Sequence, residues 1–463
     1  MDTAKNTFSR AFWTANVSET LERMAFYAMF VVITLYLSNT LGFNDIQASM
    51  ISGIFSAGLY FLPMFTGAYA DKIGYRRSLI VAFLLLAIGY LLMALFPLLL
   101  QQEGLVTYGQ KTVFNGLEQD SIRWIVLPIM IIIMVGGSFI KSIISASVAR
   151  ETTTENRARG YSIYYMLVNI GSFSGKSVID PLRNVIGEKA YLVINFFSAL
   201  LCVGAMLAIY FFYRSAHAAG DNKSAREVWQ GLIKVCCNHR LMVLILIVTG
   251  FWMVQQQLYA TMPKYVIRMA GESAKPGWIA NVNPLFVVLC VNFITRLMAK
   301  RSAPISMAIG MFLIPVSAMT MACGNLIHTT LPFGIHPITL MLVLGIVIQA
   351  LAECFISPRY LEYFSLQAPK GQEALYLGFS NLDSFLSSIL GFGLSGILLT
   401  KFCPDPANFA THEEWAAASC HAHYIWFCFA AIGLISAFAL LIFARVTAKK
   451  DASENNDNNE NSK

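Results

Sequence analysis

Residues 11–37, AFWTANVSETLERMAFYAMFVVITLYL, read as one membrane-crossing helix interrupted by the ionisable residues Glu19, Glu22 and Arg23. Helical geometry puts positions i, i+3 and i+4 on one face, so both carboxylates and the guanidinium share a single stripe. That stripe cannot face lipid, because an Arg or Asp at the bilayer centre costs roughly 2.5–3.5 kcal/mol on insertion scales. It must turn into a helix bundle or a hydrated cavity, and the default reading of such a stripe is a pathway for protons, charged solutes or both.

The whole chain agrees with its first helix. Of 463 residues, 56% are hydrophobic and 13% charged, and the mean hydropathy is +0.59, outside the range of an ordinary soluble domain. About 20 apolar residues cross the hydrocarbon core, and twelve stretches are long enough: 11–38, 46–70, 78–100, 122–148, 160–179, 190–213, 239–268, 276–299, 303–326, 337–364, 374–400 and 422–446. The chain reads as an all-α membrane protein. Basic residues cluster on alternate loops, at Arg10, at Lys72, Arg76 and Arg77, at Arg150, Arg157 and Arg159, at Arg214 to Arg240, at Lys300 and Arg301, and at Arg445 to Lys450. The positive-inside rule then makes both termini cytoplasmic. The net charge of +7 reflects that topology and gives no case for nucleic-acid binding.

Between Ser215 and Asn238 the apolar pattern breaks into charged residues around Gly220, with a short amphipathic helix expected near Val228–Val235. The break divides the spans into two groups of six, residues 1–213 and 239–446, joined by a cytoplasmic linker, 214–238, and followed by a tail, 447–463, expected to be disordered. Two six-helix halves around a midplane site are the layout of one large class of secondary transporters.

The loop after the second span, Gly67-Ala-Tyr-Ala-Asp71-Lys-Ile-Gly74-Tyr-Arg76-Arg77, resembles the G-x-x-x-D-x-x-G-x-R-R element of the major facilitator superfamily. Gly67 permits close helix approach, Asp71 can pair with an arginine or cap a helix, and Gly74 permits a tight reversal. The resemblance implies twelve transmembrane helices in two six-helix bundles. Four further stretches are similar to the proton-dependent oligopeptide transporter (POT) family. They are Glu19-Thr-Leu-Glu22-Arg23-Met-Ala-Phe26-Tyr27, Tyr164-Tyr165-Met-Leu-Val-Asn169-Ile-Gly171-Ser-Phe173, Asn283-Pro284-Leu285-Phe286, and Glu353-Cys-Phe-Ile-Ser357-Pro358 ahead of Gln367-Ala-Pro369.

That resemblance implies import of di- and tripeptides with protons as the coupling ion, without another cofactor, by a chain acting as a monomer in the inner (plasma) membrane. Recognising a zwitterion irrespective of side chains needs a cationic pocket at one end and an acceptor pocket at the other. Arg23 and Lys141 suit the carboxylate, Arg through its planar fork and Lys as a compact charge. Glu353, with Asn169 and Asn283, would take the ammonium end, and Tyr27 and Tyr60 occupy positions resembling the family's binding-site tyrosines. Glu19 and Glu22 are suited to coupling, since burial favours a neutral carboxyl while Arg23 favours a charged one. Protonation of either would free Arg23 for substrate.

The chain also departs from the family pattern. The seventh span carries Phe251-Trp252-Met-Val-Gln255-Gln256-Gln257, with Gln256 where the family places a glutamate among its site residues, and an amide cannot titrate. Asp383 adds a carboxylate on the eleventh span, as a second proton site or as a partner for a neighbouring helix, and the expected tryptophan near Gly378–Asn381 is missing. The linker is too short for the two extra helices common in bacterial members. Cys403 and Cys420 share one outward loop and are expected to form a disulfide if that side is oxidising. No His/Cys spacing suggests a metal, and no phosphate-loop, nucleophile-elbow or zinc-protease pattern suggests an enzyme. Two alternatives stay open. One is a superfamily porter for another anionic or zwitterionic solute, such as nitrate, an amino-acid conjugate or a cell-wall fragment, and the other is a protein that binds without transporting.

Overall fold

The structure, a computed structural model, describes residues 8–152, 157–214, 224–298, 300–327, 334–367 and 379–460. The side chain of Asp71, linker residues 215–223, and most of the segment leading into the eleventh span, including Gly378 and Ala368-Pro369, lie outside the described residues.

Helix α1, Arg10–Phe30, starts where the Ser9 hydroxyl accepts the amide of Phe12 at 3.0 Å. After Phe30 its ladder breaks, with Val32 N–H donating to the Met29 carbonyl at 3.2 Å. The span resumes as Ile33–Leu35 and a π-helical turn, Tyr36–Thr40, bent by 45° from α1, and the change of ladder accounts for the kink. Helix α2, Asp45–Phe61, opens with a capping box between Asn44 and Gln47 and continues after Pro63 to Ile73. Gly74, at φ 92°, reverses the chain into α3, Tyr75–Gln102, and only glycine takes that backbone without strain. After a two-stranded antiparallel ribbon pairing Val106 with Phe114 come α4, Val126–Arg150, α5, Arg157–Ser177, the short α6, Ile179–Ile186, and α7, Ala190–Phe212.

The linker holds α8, Ala225–Cys236, longer than the expected amphipathic turn. Then follow α9, His239–Gln255, α10, Met262–Ala270, α11, Pro276–Met298, α12, Ala303–Cys323, α13, Pro337–Gln367, α14, Leu382–Phe402, α15, His412–Ser419, and α16, Tyr424–Glu460. Ten helical runs among the described residues are long and apolar enough to cross a membrane, or eleven with the bent first pair. The difference from the expected twelve lies in Ile163–Phe212, a single apolar run of 50 residues that contains two long helices, α5 and α7. The tail is also different. Instead of losing structure at 447, α16 continues to Glu460, since a helix already formed extends without a new nucleus.

Within the first half α1 packs on α5 and α7, and α3 on α4 and α7; in the second α12 packs on α13 and α16, and α11 on α13. The halves meet along two seams, α2 with α14 and α5 with α11, and the candidate site lies between these seams.

Candidate functional site

The α1 charges face inward. Glu19 and Glu22 are each 1% exposed and Arg23 6%. Arg23 Nε lies 3.1 Å from Glu19 Oε1, and Arg23 Nη2 lies 2.5 Å from Glu22 Oε2. Among the described residues Glu19 Oε2 has no hydrogen-bond partner. The triplet is fixed by close approach of α5: a Cβ on Gly171 would sit 2.5 Å from the Thr20 carbonyl and 2.9 Å from Arg23 Cβ. Glycine there lets α5 lie against the backbone of α1. The Arg23 guanidinium also stands 5.4 Å from the Phe26 ring. Lys141, part-buried on α4, places Nζ 3.9 Å from the centroid of the Tyr60 ring and acts electrostatically on both glutamates.

A second pole stands on the other half. Glu353 of α13 accepts Gln255 Nε2 at 2.7 Å and Asn283 Nδ2 at 3.3 Å. Between the poles lie Tyr27, Tyr60 and Tyr259. Tyr27 is within electrostatic reach of Arg23, Glu19, Glu22 and Glu353 alike, and its ring is 6.2 Å from that of Tyr259.

Two expected substrate-binding residues, Gln256 and Asn169, hydrogen-bond elsewhere than to Glu353. Gln256 is buried and donates to Ser388 Oγ at 3.0 Å, because the next position on a helix is rotated by about 100°; its neighbour Gln255 meets Glu353 instead. Asn169 spends its amide N–H on the Tyr165 carbonyl of its own helix, at 2.8 Å. Lys176 was not foreseen. It is 1% exposed on α5, donates to the Tyr259 hydroxyl at 3.3 Å, and lies 4.9 Å from the Tyr27 centroid, where the charge of Glu353 also acts on it. It lies inside the expected fifth span, 160–179, near its polar end, and an intramembrane lysine is the signal that could have found it.

A clamp joins the halves beyond this site, and it too was missed. Asp45, at the start of α2, pairs with Lys264 Nζ at 2.8 Å and Arg268 Nη1 at 2.7 Å, both on α10. Arg268 also reaches Asp405 at 2.9 Å and the Cys403 carbonyl at 2.8 Å. Beside it Asp180 accepts the Trp278 amide, 2.8 Å away at the N-terminus of α11, and Arg183 lies 3.3 Å from Glu272. A cavity of 810 Å³ opens at this end, lined by Asn39, Lys111, Glu188, Arg268 and Glu272 among others. It is separate from the Arg23 site. On the other side of the Arg23 site, Tyr165 of α5 is 42% exposed and lies within electrostatic reach of Glu353.

A Cβ on Gly67 would lie 3.3 Å from Ser142 Cβ on α4, and Arg76 donates to the Tyr210 carbonyl with its guanidinium 5.6 Å from the Tyr210 ring. Arg77 is exposed. The expected disulfide is absent: Cys403 and Cys420 are both free thiols. Cys403 is buried where α14 ends, whereas Cys420 is exposed at the end of α15. Among the described residues no group of three His, Cys, Asp or Glu side chains could hold a metal ion.

Comparison with known proteins agrees with this architecture. The Major Facilitator Superfamily profile matches residues 17–332. The multidrug resistance protein MdtH of Photorhabdus laumondii is 23% identical over 425 residues, 90% of each chain. The peptide transporter YePEPT of Yersinia enterocolitica is 28% identical over 165 residues, 34% of this chain and 28% of that one. A POT family transporter solved with 5-aminolevulinic acid superposes at a TM-score of 0.72 with 16% identity, covering 94% of this chain and 96% of that one. A bacterial homologue of the human drug peptide transporters PepT1 and PepT2 superposes at 0.67, also with 16% identity, covering 95% and 99%. With a superfamily match over most of its length and a shared two-half helical fold, the chain belongs to the Major Facilitator Superfamily and is a multi-pass membrane transporter, not an enzyme.

Proposed function

We propose that this transporter is a proton-coupled importer of di- and tripeptides, working as a monomer in the inner membrane with both termini cytoplasmic. One observation carries the reading: two poles of opposite character, Arg23 with Lys141 and Glu353 with Asn283 and Gln255, flank Tyr27 and Tyr60, each within electrostatic reach of Arg23 and Glu353 alike. A zwitterion with separated ends suits that arrangement. Its carboxylate would displace Glu22 or Glu19 from the Arg23 fork, and its ammonium would lie against Glu353. Tyr27 and Tyr60 would line the middle and tolerate varied side chains, since an aromatic face offers contact area without a fixed polar demand.

Coupling follows from competition for one guanidinium. Arg23 is shared by Glu19 and Glu22, so substrate can take it only when a carboxylate lets go. A proton arriving on Glu22 or Glu19 removes that rival charge and leaves Arg23 to the peptide. The clamp at Asp45, Lys264 and Arg268 closes one end of the cleft, which in alternating access is the outward end, with release toward the cytoplasm.

The match to the multidrug resistance protein MdtH over 90% of both chains favours one alternative, a multidrug-type porter. Proteoliposome uptake separates the two. Under an inward proton gradient, labelled dialanine should accumulate and unlabelled tripeptides should compete. Drug efflux with no dipeptide uptake would replace this reading by the multidrug one.

A further inference from the structure

The carboxylate of Asp383 is left unused by the scheme above. It is 2% exposed in the first turn of α14, and among the described residues no Lys, Arg or His nitrogen lies within salt-bridge distance of it. The Ser384 amide donates to it, and the other groups close enough to act on it are neutral as well: the hydroxyl of Ser384, the hydroxyl of Tyr360 on α13, which donates to the Ser380 carbonyl, and the indole of Trp252 on α9. Neutral donors satisfy a carboxylate without cancelling its charge, whereas every other carboxylate of the clamp and of the α1 triplet has a cation beside it.

We propose that Asp383 is a second proton-binding site of the transport cycle, carried by α14 of the C-terminal half. The proposal rests on the proton-coupled reading, and two features of the site give it a way to act. Tyr360 has one hydroxyl proton and two acceptors in reach, Asp383 and the Ser380 carbonyl 3.2 Å away. A charged Asp383 holds that proton. When Asp383 takes a proton from water and becomes a neutral acid, the hydroxyl of Tyr360 is free to turn fully to Ser380. The second feature is a polar relay along α14: Ser384 bonds to Asp383, Ser388 donates to the Ser384 carbonyl at 2.7 Å, and Ser388 meets Ser56 of α2 at 2.9 Å and Gln256 of α9 at 3.0 Å. Protonation at Asp383 is thereby linked to the seam at which the halves meet.

The groups facing Asp383 make its titration readable. From α2 comes Tyr60, itself under Lys141 of α4; from α9 come Trp252 and, through Ser388, Gln256; from α13 comes Tyr360. Helix α16 meets α14 at the opposite end, through Phe402 and Tyr424. On α9 the residues at this level, Gln255 and Gln256, are amides that hold no exchangeable charge.

The test uses the full-length protein in two arms. In proteoliposomes, the proton-to-peptide ratio is read from the membrane potential that just stops net dialanine flux, for wild type, Asp383→Asn and Asp383→Glu. In detergent, infrared difference spectra follow the carboxylic-acid stretch of wild type and Asp383→Asn through a pH titration. Asp383→Asn should still exchange peptide but move one proton fewer per cycle, with Asp383→Glu restoring the ratio, and a titrating acid band should vanish in Asp383→Asn. An unchanged ratio together with an unchanged infrared titration would overturn the proposal, leaving Asp383 as a stabilising acid at a helix start, seen only as a lowered melting temperature. If wild type moves no dipeptide, the peptide reading fails and the infrared arm alone decides Asp383. Should Asp383→Asn not fold, Tyr360→Phe provides the second variant: it removes the switching hydroxyl, and the acid band should shift in pH midpoint, an unshifted band counting against the proposal.

Discussion

Arg23 serves two carboxylates and one expected substrate, so its neighbours set what it can do. Replacing Glu22 by Gln removes one rival charge and one titrating group while keeping the shape of the site. We expect gradient-driven accumulation of dipeptide in proteoliposomes to fall at least about tenfold, equal to roughly 1.4 kcal/mol of lost coupling, while peptide-for-peptide exchange persists. Retained accumulation would assign coupling elsewhere. At the opposite pole, Glu353→Gln should weaken binding of free dipeptides by about ten- to a hundredfold, as for a lost charge-assisted hydrogen bond of roughly 1.5–3 kcal/mol, with little effect on N-acetylated ones. A thermal-shift titration with both ligand types reads the difference. Much of this site is legible in the sequence, because Glu19, Glu22 and Arg23 share a face by helical spacing alone. Gln255 is not, since the phase at which α9 faces α13 depends on tertiary packing, and one residue of rotation exchanges the partner of Glu353 for that of Ser388.

The α1–α5 contact is the element on which the charged site depends. Gly171 and Gly175 lie one turn apart on α5, and a Cβ at either would run into the backbone of α1, at Thr20 or at Met24. Gly171→Leu should separate the helices, cost about 1–3 kcal/mol as other overpacking substitutions do, and lower the melting temperature, with dipeptide affinity falling in parallel. An unchanged melt would show that α5 is free to move aside. Apolar length and loop charge reveal the long helices, yet not the π turn that bends the first span after Phe30, which arises from a shift of hydrogen-bond ladder. Nor do they reveal that α16 runs to Glu460. A polar composition reads as a tail, but a formed helix carries it forward.

At the scale of the whole molecule, Asp45, Lys264, Arg268 and Asp405 hold one end of the cleft closed. Removing one partner of a buried ionic cluster costs about 3–5 kcal/mol, because charges remain uncompensated. Asp45→Asn should thus shift the population away from the state closed at this end. Spin labels at Glu118 and Asn408, in a background with the exposed cysteines replaced, should report a longer distance in the variant; an unaltered distribution would mean that the clamp does not set the closed state. Its four residues lie in three separate regions of the chain, and no local pattern joins them, so only the fold brings them together. The two-half architecture itself was readable from hydropathy and from the loop Gly67 to Arg77. The central claim is that the peptide carboxylate takes Arg23 from Glu22 or Glu19 once a proton has neutralised that rival, and uptake of labelled dialanine into proteoliposomes with an imposed proton gradient, for wild type and Glu22→Gln side by side, tests it most directly. Concentrative uptake in wild type that disappears in Glu22→Gln, with exchange intact, is the predicted result, and equal pH-driven accumulation by both proteins would contradict it.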